Sequence, residues 1–274
     1  MKKLISLFQG CYRIHYLLPL MLLFLFAGCE KDVIIDERSA SDPEVLNLKA
    51  SSEKVNDFYG PARPFAKGVV RAVVTMNHNG EPESIGIKFS ERILDNLPDH
   101  LEEFSVELPN KAKGLPFDHI DLGWNPEGHE PPETYDLPHF DIHFYMISQE
   151  EKMQIADAAK AELLPGDEFI PESYLPTPGF VPMMGKHWVD ILSDEFHGGI
   201  FSQTFIFGSY DEEVIFYEPM VTKDYLLEKT SKQYEIRQPA EFQRTGLYYP
   251  TTYSISYDAT RKEYTISMEN MVLR

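Results

Sequence analysis

Period-two alternation of apolar and polar residues, bounded each time by turn formers, recurs along this chain and limits it to folds built on sheets. Successive residues of a strand face opposite sides, so each such run is a strand with one buried face. "GVVRAVVTM" (68–76) and "SIGIKF" (84–89) flank "NHNGEPE", whose Asn-Gly pair suits a tight turn, and together they read as a hairpin. "EFSVEL" (103–108) is another strand. "FSQTFIFGSYDEEVIFYEPM" (201–220) reads as two strands about a turn at Asp211 and Glu212, and "TTYSISYDATRKEYTISME" (251–269) as a C-terminal hairpin.

Helical signals are fewer. The strongest is "SQEEKMQIADAAKAELL" (148–164), where Ser148 and Glu151 make a capping box and Met153, Ile155, Ala156, Ala159 and Leu163 form a stripe. Short helices are predicted in "SERILDNLP", capped by Ser90, and in "TKDYLLEKT", capped by Thr222. Two stretches dense in proline, 117–138 and 165–185, read as long ordered loops, a length that within a compact domain points to function. The expected fold is α+β and β-rich: an antiparallel sandwich or barrel with two or three peripheral helices and long Pro-rich loops.

The first residues lie outside that fold. Lys2, Lys3 and Arg13 precede the apolar run "LLPLMLLFLFAGC" (17–29), the pattern of a secretory signal. Its end, "LFAGC", resembles a lipobox, which implies a lipoprotein signal peptide over 1–28 with Cys29 as the lipidated mature N-terminus; an ordinary cleaved signal or a membrane anchor is the alternative. Residues 29–58 are polar and charge-rich and read as a flexible tether, with a short helix allowed around 43–48; residues 59–274 form a single β-rich domain of unknown function. The expected location is the cell envelope, lipid-anchored through Cys29, with the outer membrane favoured because Glu30 rather than Asp follows the cysteine. Cys11 and Cys29 are the only cysteines, so the domain has no disulfide or cysteine nucleophile and must be stabilised by its core. Without the leader the chain carries 44 acidic residues against 22 basic ones, a balance that repels nucleic acid.

"DLPHFDIHFYM" (136–146) carries the chemistry. His139, Asp141, His143 and Tyr145 share one face of a strand, and Phe140, Ile142, Phe144 and Met146 share the other. The usual surface residues Lys, Glu, Ser and Thr are missing from the polar row, which predicts a lined pocket closed by the two Pro-rich loops rather than a solvated face. Four residues of extended strand separate the His139 and His143 α-carbons by about 13 Å. With metal–nitrogen bonds near ~2.0–2.1 Å, one of the two is expected to be a ligand and the other a support for it. Further ligands are expected from His187 in "MGKHWVD", from Glu218, which ends an otherwise apolar strand face, and from His129 in "WNPEGHEPP". Such a set suits zinc, iron, manganese or copper; a purely hydrogen-bonded His/Asp/Glu cluster satisfies the same burial. No Gly-rich phosphate loop or G-x-S-x-G elbow occurs.

"WNPEGHEPP", "PHFDIHFYM", "MGKHWVD" and "FSQTFIFGSYDEEVIFYEPM" followed by "TKDYL" resemble, in that order, an uncharacterised bacterial exported family of TTHB-like proteins, a domain of unknown function, over about residues 59–274. The resemblance implies a β-rich domain whose signature includes these His, Asp and Glu positions, and it implies no activity. Three roles fit the residues. First is a lipid-anchored, non-catalytic protein that binds a metal or an unknown small ligand, or assembles as a homo-oligomer. Second is a metal-dependent envelope enzyme using two histidines and a carboxylate, with Asp141 or His129 as general base. Third is a structural cluster that pins the loops to the sheet.

Overall fold

The computed structural model describes residues 55–274. The expected signal peptide, Cys29 and most of the expected tether, with the short helix expected around 43–48, lie outside the described residues. Strand β1 begins at Asn56, so sheet structure starts inside the stretch expected to be tether.

Two seven-stranded antiparallel sheets make up the domain. The first contains β1 (Asn56–Tyr59), β2 (Arg63–Phe65), β3 (Gly68–Met76), β4 (Pro82–Ser90), β12 (Lys232–Glu235), β14 (Thr252–Asp258) and β15 (Glu263–Glu269). Its order is β1-β3-β4-β15-β14-β12, with β2 also paired to β3. The second contains β5 (Glu102–Val106), β6 (His119–Asn125), β7 (His139–Tyr145), β8 (Tyr174–Pro176), β9 (Lys186–Asp190), β10 (Gln203–Tyr210) and β11 (Glu213–Thr222), in the order β5-β6-β7-β11-β10-β9-β8. β13 (Tyr248–Tyr249) and β16 (Val272–Leu273) form a small separate ribbon. The arrangement is a sandwich, and the barrel alternative does not occur.

Aromatic residues join the sheets. Phe89 of β4 meets Phe140 of β7 at 5.9 Å between ring centroids, and Phe205 of β10 meets Tyr253 of β14 at 5.2 Å. Ile120, Leu122 and Trp124 of β6, Ile142 and Phe144 of β7, and Val74, Ile85, Ile87 and Ile266 of the first sheet fill the layer between them. Both expected hairpins are present, and Asp211 and Glu212 make the β10–β11 turn with positive φ at both positions, 52° and 69°.

The strong helix expected over 148–164 is not continuous. It breaks into α1 (Gln149–Lys152) and α2 (Ala158–Ala161). The Ser148–Glu151 capping box is present, but Asp157 takes an extended backbone (φ −96°, ψ 109°) and caps the second turn through the Ala159 amide. Met153, assigned to the buried stripe, is exposed, while Ile155 and Ala161 are buried. Thr222 caps α3 (Lys223–Leu227) by accepting from the Tyr225 amide. Residues 91–96 form a 3-10 turn, and Ser90 accepts from Val69 of the neighbouring strand instead of capping it. No helix among the described residues is long and apolar enough to cross a membrane.

One sequence expectation was wrong in a way that matters for the site. Residues 117–138 are not one loop: His119–Asn125 is a fully buried central strand, β6. Its alternation, His119, Asp121, Gly123 and Asn125 against Ile120, Leu122 and Trp124, was hidden by the prolines and glycines that follow.

Candidate metal centre

The second sheet has two buried faces. The apolar one meets the first sheet. The other carries the polar row of β7, and register extends that row sideways: Asp121 pairs with His143, Gly123 with Asp141 and Asn125 with His139. On the far side Met220 pairs with Asp141 and Phe216 with Tyr145, which sets Glu218 of β11 beside His143. His187 of β9 pairs with Gly208 of β10.

This outward face is covered, not solvated. His139, Asp141, His143 and Glu218 are all buried. Tyr135 and Phe201 pack with Ile206, Val189 and Met220 over one end, and Ile155 with Tyr145 and Phe216 over the other. The first Pro-rich stretch supplies His129 and Tyr135 to the cover; the second approaches through Met184 and through the Met183 carbonyl, which accepts from Tyr145 Oη at 3.5 Å. The expected pocket is therefore a closed, tightly filled layer.

Within it, the six expected residues converge as two triads, His129/His139/Asp141 and His143/His187/Glu218, each with its donor atoms within 4.8 Å of one another. In the first, His139 Nε2 lies 3.1 Å from Asp141 Oδ1, and His129 Nε2 lies 3.4 Å from Asp141 Oδ2. In the second, Glu218 Oε2 lies 3.2 Å from His143 Nε2 and 3.8 Å from His187 Nε2. Tetrahedral ligands at ~2.0–2.1 Å from an ion stand about 3.3–3.4 Å apart, close to three of these separations, while His187 and Glu218 at 3.8 Å stand wider. The expectation that His139 and His143 would divide as ligand and support around one ion is corrected: each belongs to its own triad.

Orientation agrees with that reading. His139 Nδ1 donates to the Leu137 carbonyl at 2.6 Å and His129 Nδ1 to the Glu130 carbonyl at 2.7 Å. A carbonyl only accepts, so Nδ1 carries the proton in both rings and Nε2 is turned toward Asp141, the arrangement that orients ligating histidines. His139 Nε2, Asp141 Oδ1, His143 Nδ1, His143 Nε2 and Glu218 Oε2 are buried without a hydrogen-bond partner. The His139–Asp141 and His143–Glu218 approaches are close but poorly aligned for a hydrogen bond.

Electrostatics set these groups apart. Burial works to raise the Asp141 carboxyl, but His129 and His139 outweigh it and hold the group well below the usual carboxylate range. Burial likewise opposes protonation of His129, yet Asp141 lifts it to about 9. Burial, with the neighbouring His143 and His129, pushes His187 down to about 3, which keeps it neutral and its lone pair available. Glu218 is raised by burial, against the pull of His143. Among the described residues no lysine or arginine forms an ion pair with Asp141 or Glu218.

Two other carboxylates of this face, Asp121 and Glu103, share one cation. Lys152 of α1 donates to Glu103 Oε1 at 3.0 Å and to Asp121 Oδ2, and Ser105 Oγ donates to Asp121 Oδ1. His119 stacks on Tyr145 at 5.0 Å, and Tyr145 stacks on His143 at 5.6 Å. Asn125 Nδ2 donates to Asp141 Oδ2, fixing the carboxylate. The proline-rich surroundings of β6 read as loop and conceal these supports in the sequence; the alternation of "HIDLGWN" is the signal that marks them.

Gly208 keeps the second triad in place. A Cβ there would lie 1.9 Å from Phe216 Cε1, and that ring packs edge-on against His143 at 4.8 Å and His187 at 5.2 Å. Gly208→Ala should cost about 1–3 kcal/mol through overpacking. Urea midpoints should show that loss, accompanied by weaker metal retention at His143/His187/Glu218.

A search of curated proteins and a search of solved structures return no match. A family model does match, over residues 77–124, the segment from the β3–β4 turn through most of β6. The match carries His119 and Asp121 and ends where the motif "WNPEGHEPP" begins, so the two triads lie beyond it. Its description is TTHB210-like, hypothetical protein TTHB210, and over that segment the chain is similar to this uncharacterised family.

Proposed function

We propose that this is a lipid-anchored protein of the cell envelope that binds divalent transition metal on the outward face of its second sheet, in a non-catalytic binding or assembly role. The lipobox-like "LFAGC" supports the location, with Cys29 as the attachment point and the outer membrane as the favoured destination. One observation carries the metal: buried donor atoms of His139, Asp141, His143 and Glu218 lack hydrogen-bond partners and point at one another within each triad. Buried polar atoms left unpaired cost free energy, and a cation shared by imidazole and carboxylate removes that cost. Imidazole and carboxylate suit zinc, iron, manganese or copper, and binding displaces the proton that Asp141 holds on His129.

A metal-dependent enzyme is the second reading, favoured by one feature: each triad offers three protein donors, and catalytic centres keep a fourth position for water or substrate. Elemental analysis of the purified full chain, after incubation with each of the four metals and gel filtration, tests the binding. Retention of at least about one equivalent of one metal is expected, as for a structural or catalytic site. No retention of any of them would overturn the proposal.

A further inference from the structure

The two triads are built differently, and the difference bears on what each would do. Donor atoms of a single coordination shell lie within about 4.2 Å of one another, twice a ligand bond of ~2.1 Å. The six donors sort into two separate sets, each within 4.8 Å internally, and the six together do not fall within that distance of one another. One ion cannot serve both sets.

Enclosure differs as well. The side chains of His143, Glu218 and His187 are 2%, 1% and 15% exposed, walled by Tyr145 and Phe216. In the other set His139 is fully enclosed and Asp141 nearly so, but the His129 side chain is 35% exposed. His129 comes from the covering segment that follows β6, not from the sheet, and its ring is held by Glu130 of that segment and by the edge of Tyr135 at 5.9 Å.

We infer that the chain holds two unequal ions: an enclosed one at His143/His187/Glu218 that maintains the fold, and an exchangeable one at His129/His139/Asp141 whose free coordination position opens on the His129 side to a small inorganic donor. This rests on the metal-binding reading above and adds the number of ions and the division of labour between them. Three protein donors leave the outer ion a coordination position, and only at His129 does a ligand side chain reach solvent to a substantial extent.

Cobalt(II) is the probe, since its visible spectrum reports ligand geometry. The full chain should take up two equivalents, one per triad. A chelator should remove one of them at least about tenfold faster than the other, because exposure acts mainly on the dissociation rate. The His139→Ala variant, and the milder His129→Ala variant at the rim, should lose the fast equivalent and keep the slow one. Glu218→Gln should lose the slow one. Azide should change the visible spectrum of the cobalt-loaded wild type and leave that of cobalt-loaded His129→Ala unchanged. One equivalent in the wild type, equal release rates, or an azide response surviving in His129→Ala would overturn the inference while leaving metal binding intact. No cobalt in the wild type, with none of the other metals retained, would overturn the underlying reading instead.

Discussion

Lys152→Met should destabilise the domain by about 3–5 kcal/mol, the cost of leaving a buried carboxylate without its counter-charge. Lys152 is buried, and its ammonium is the only lysine or arginine cation paired with Asp121 and Glu103 among the described residues, with His119 Nε2 farther off at 3.9 Å from Asp121 Oδ1. Methionine keeps the apolar stem but leaves Asp121, almost wholly enclosed, with Ser105 as its one good donor. The pH dependence has a definite sign. Burial works to raise Asp121, but Lys152 and Ser105 overcome it and hold the carboxyl below its ordinary value. Its contribution is therefore complete above the unfolded value of about 3.9 and is lost as pH falls through the lower folded value. Lys152 is raised despite burial, chiefly by Asp121, so its contribution is complete below about 10.4 and is lost as pH rises through the higher folded value. Urea titrations should show the wild type on a plateau between these limits. The variant's deficit should be largest at neutral pH and shrink in acid, and Lys152→Met/Asp121→Asn should recover part of it. A neutral-pH deficit below about 1 kcal/mol would mean that water solvates Asp121 and that the pair is peripheral.

Under the proposed metal binding, removing the metal should lower the melting temperature by roughly 8–16 °C. An ion held at about a thousand times its dissociation constant stabilises the folded state by about 4 kcal/mol. In a domain of this size each kcal/mol corresponds to about 2–4 °C. The metal-free protein also leaves His143 Nε2 and Glu218 Oε2 buried and facing each other at 3.2 Å. Calorimetry before and after chelation, followed by readdition, measures the shift; an unchanged melting temperature in a protein shown to be loaded would place the ions outside these triads. His139→Ala should give the smaller part of the loss and Glu218→Gln the larger, because the second triad is the more enclosed.

What the sequence disclosed and what it hid follow from the range of the interactions involved. The β7 row was readable because residues two apart must share a face, and the β10–β11 and β14–β15 hairpins because their alternation flanks a turn. Glu218 and His187 stood out as polar residues among apolar neighbours, and the structure brings both to the row. Pairing between distant strands was not readable. Nothing local shows that β7 lies between β6 and β11, so nothing local separates His139 and His143 into different triads. The helix over 148–164 failed for a related reason: Asp157 competes for its own backbone as a cap, and the tertiary cover needs Ile155 pointing at Phe216 rather than along a continuous stripe.

Because the second sheet is sealed on one side by the sandwich and on the other by short turns and loops, the domain should open in two stages under hydrogen exchange. Amides of β6, β7 and β11 belong to the central strands and should exchange only through global unfolding. The segment 126–138 is anchored by few backbone bonds, chiefly the His129–Tyr135 bridge, and should exchange through local opening. His129 belongs to that segment, while its triad partners His139 and Asp141 belong to the strand beneath. The proposed ion, bridging the two, would make the covering segment its own latch: release of the metal would be coupled to lifting of the cover, and the cover would lift more freely once the metal is gone.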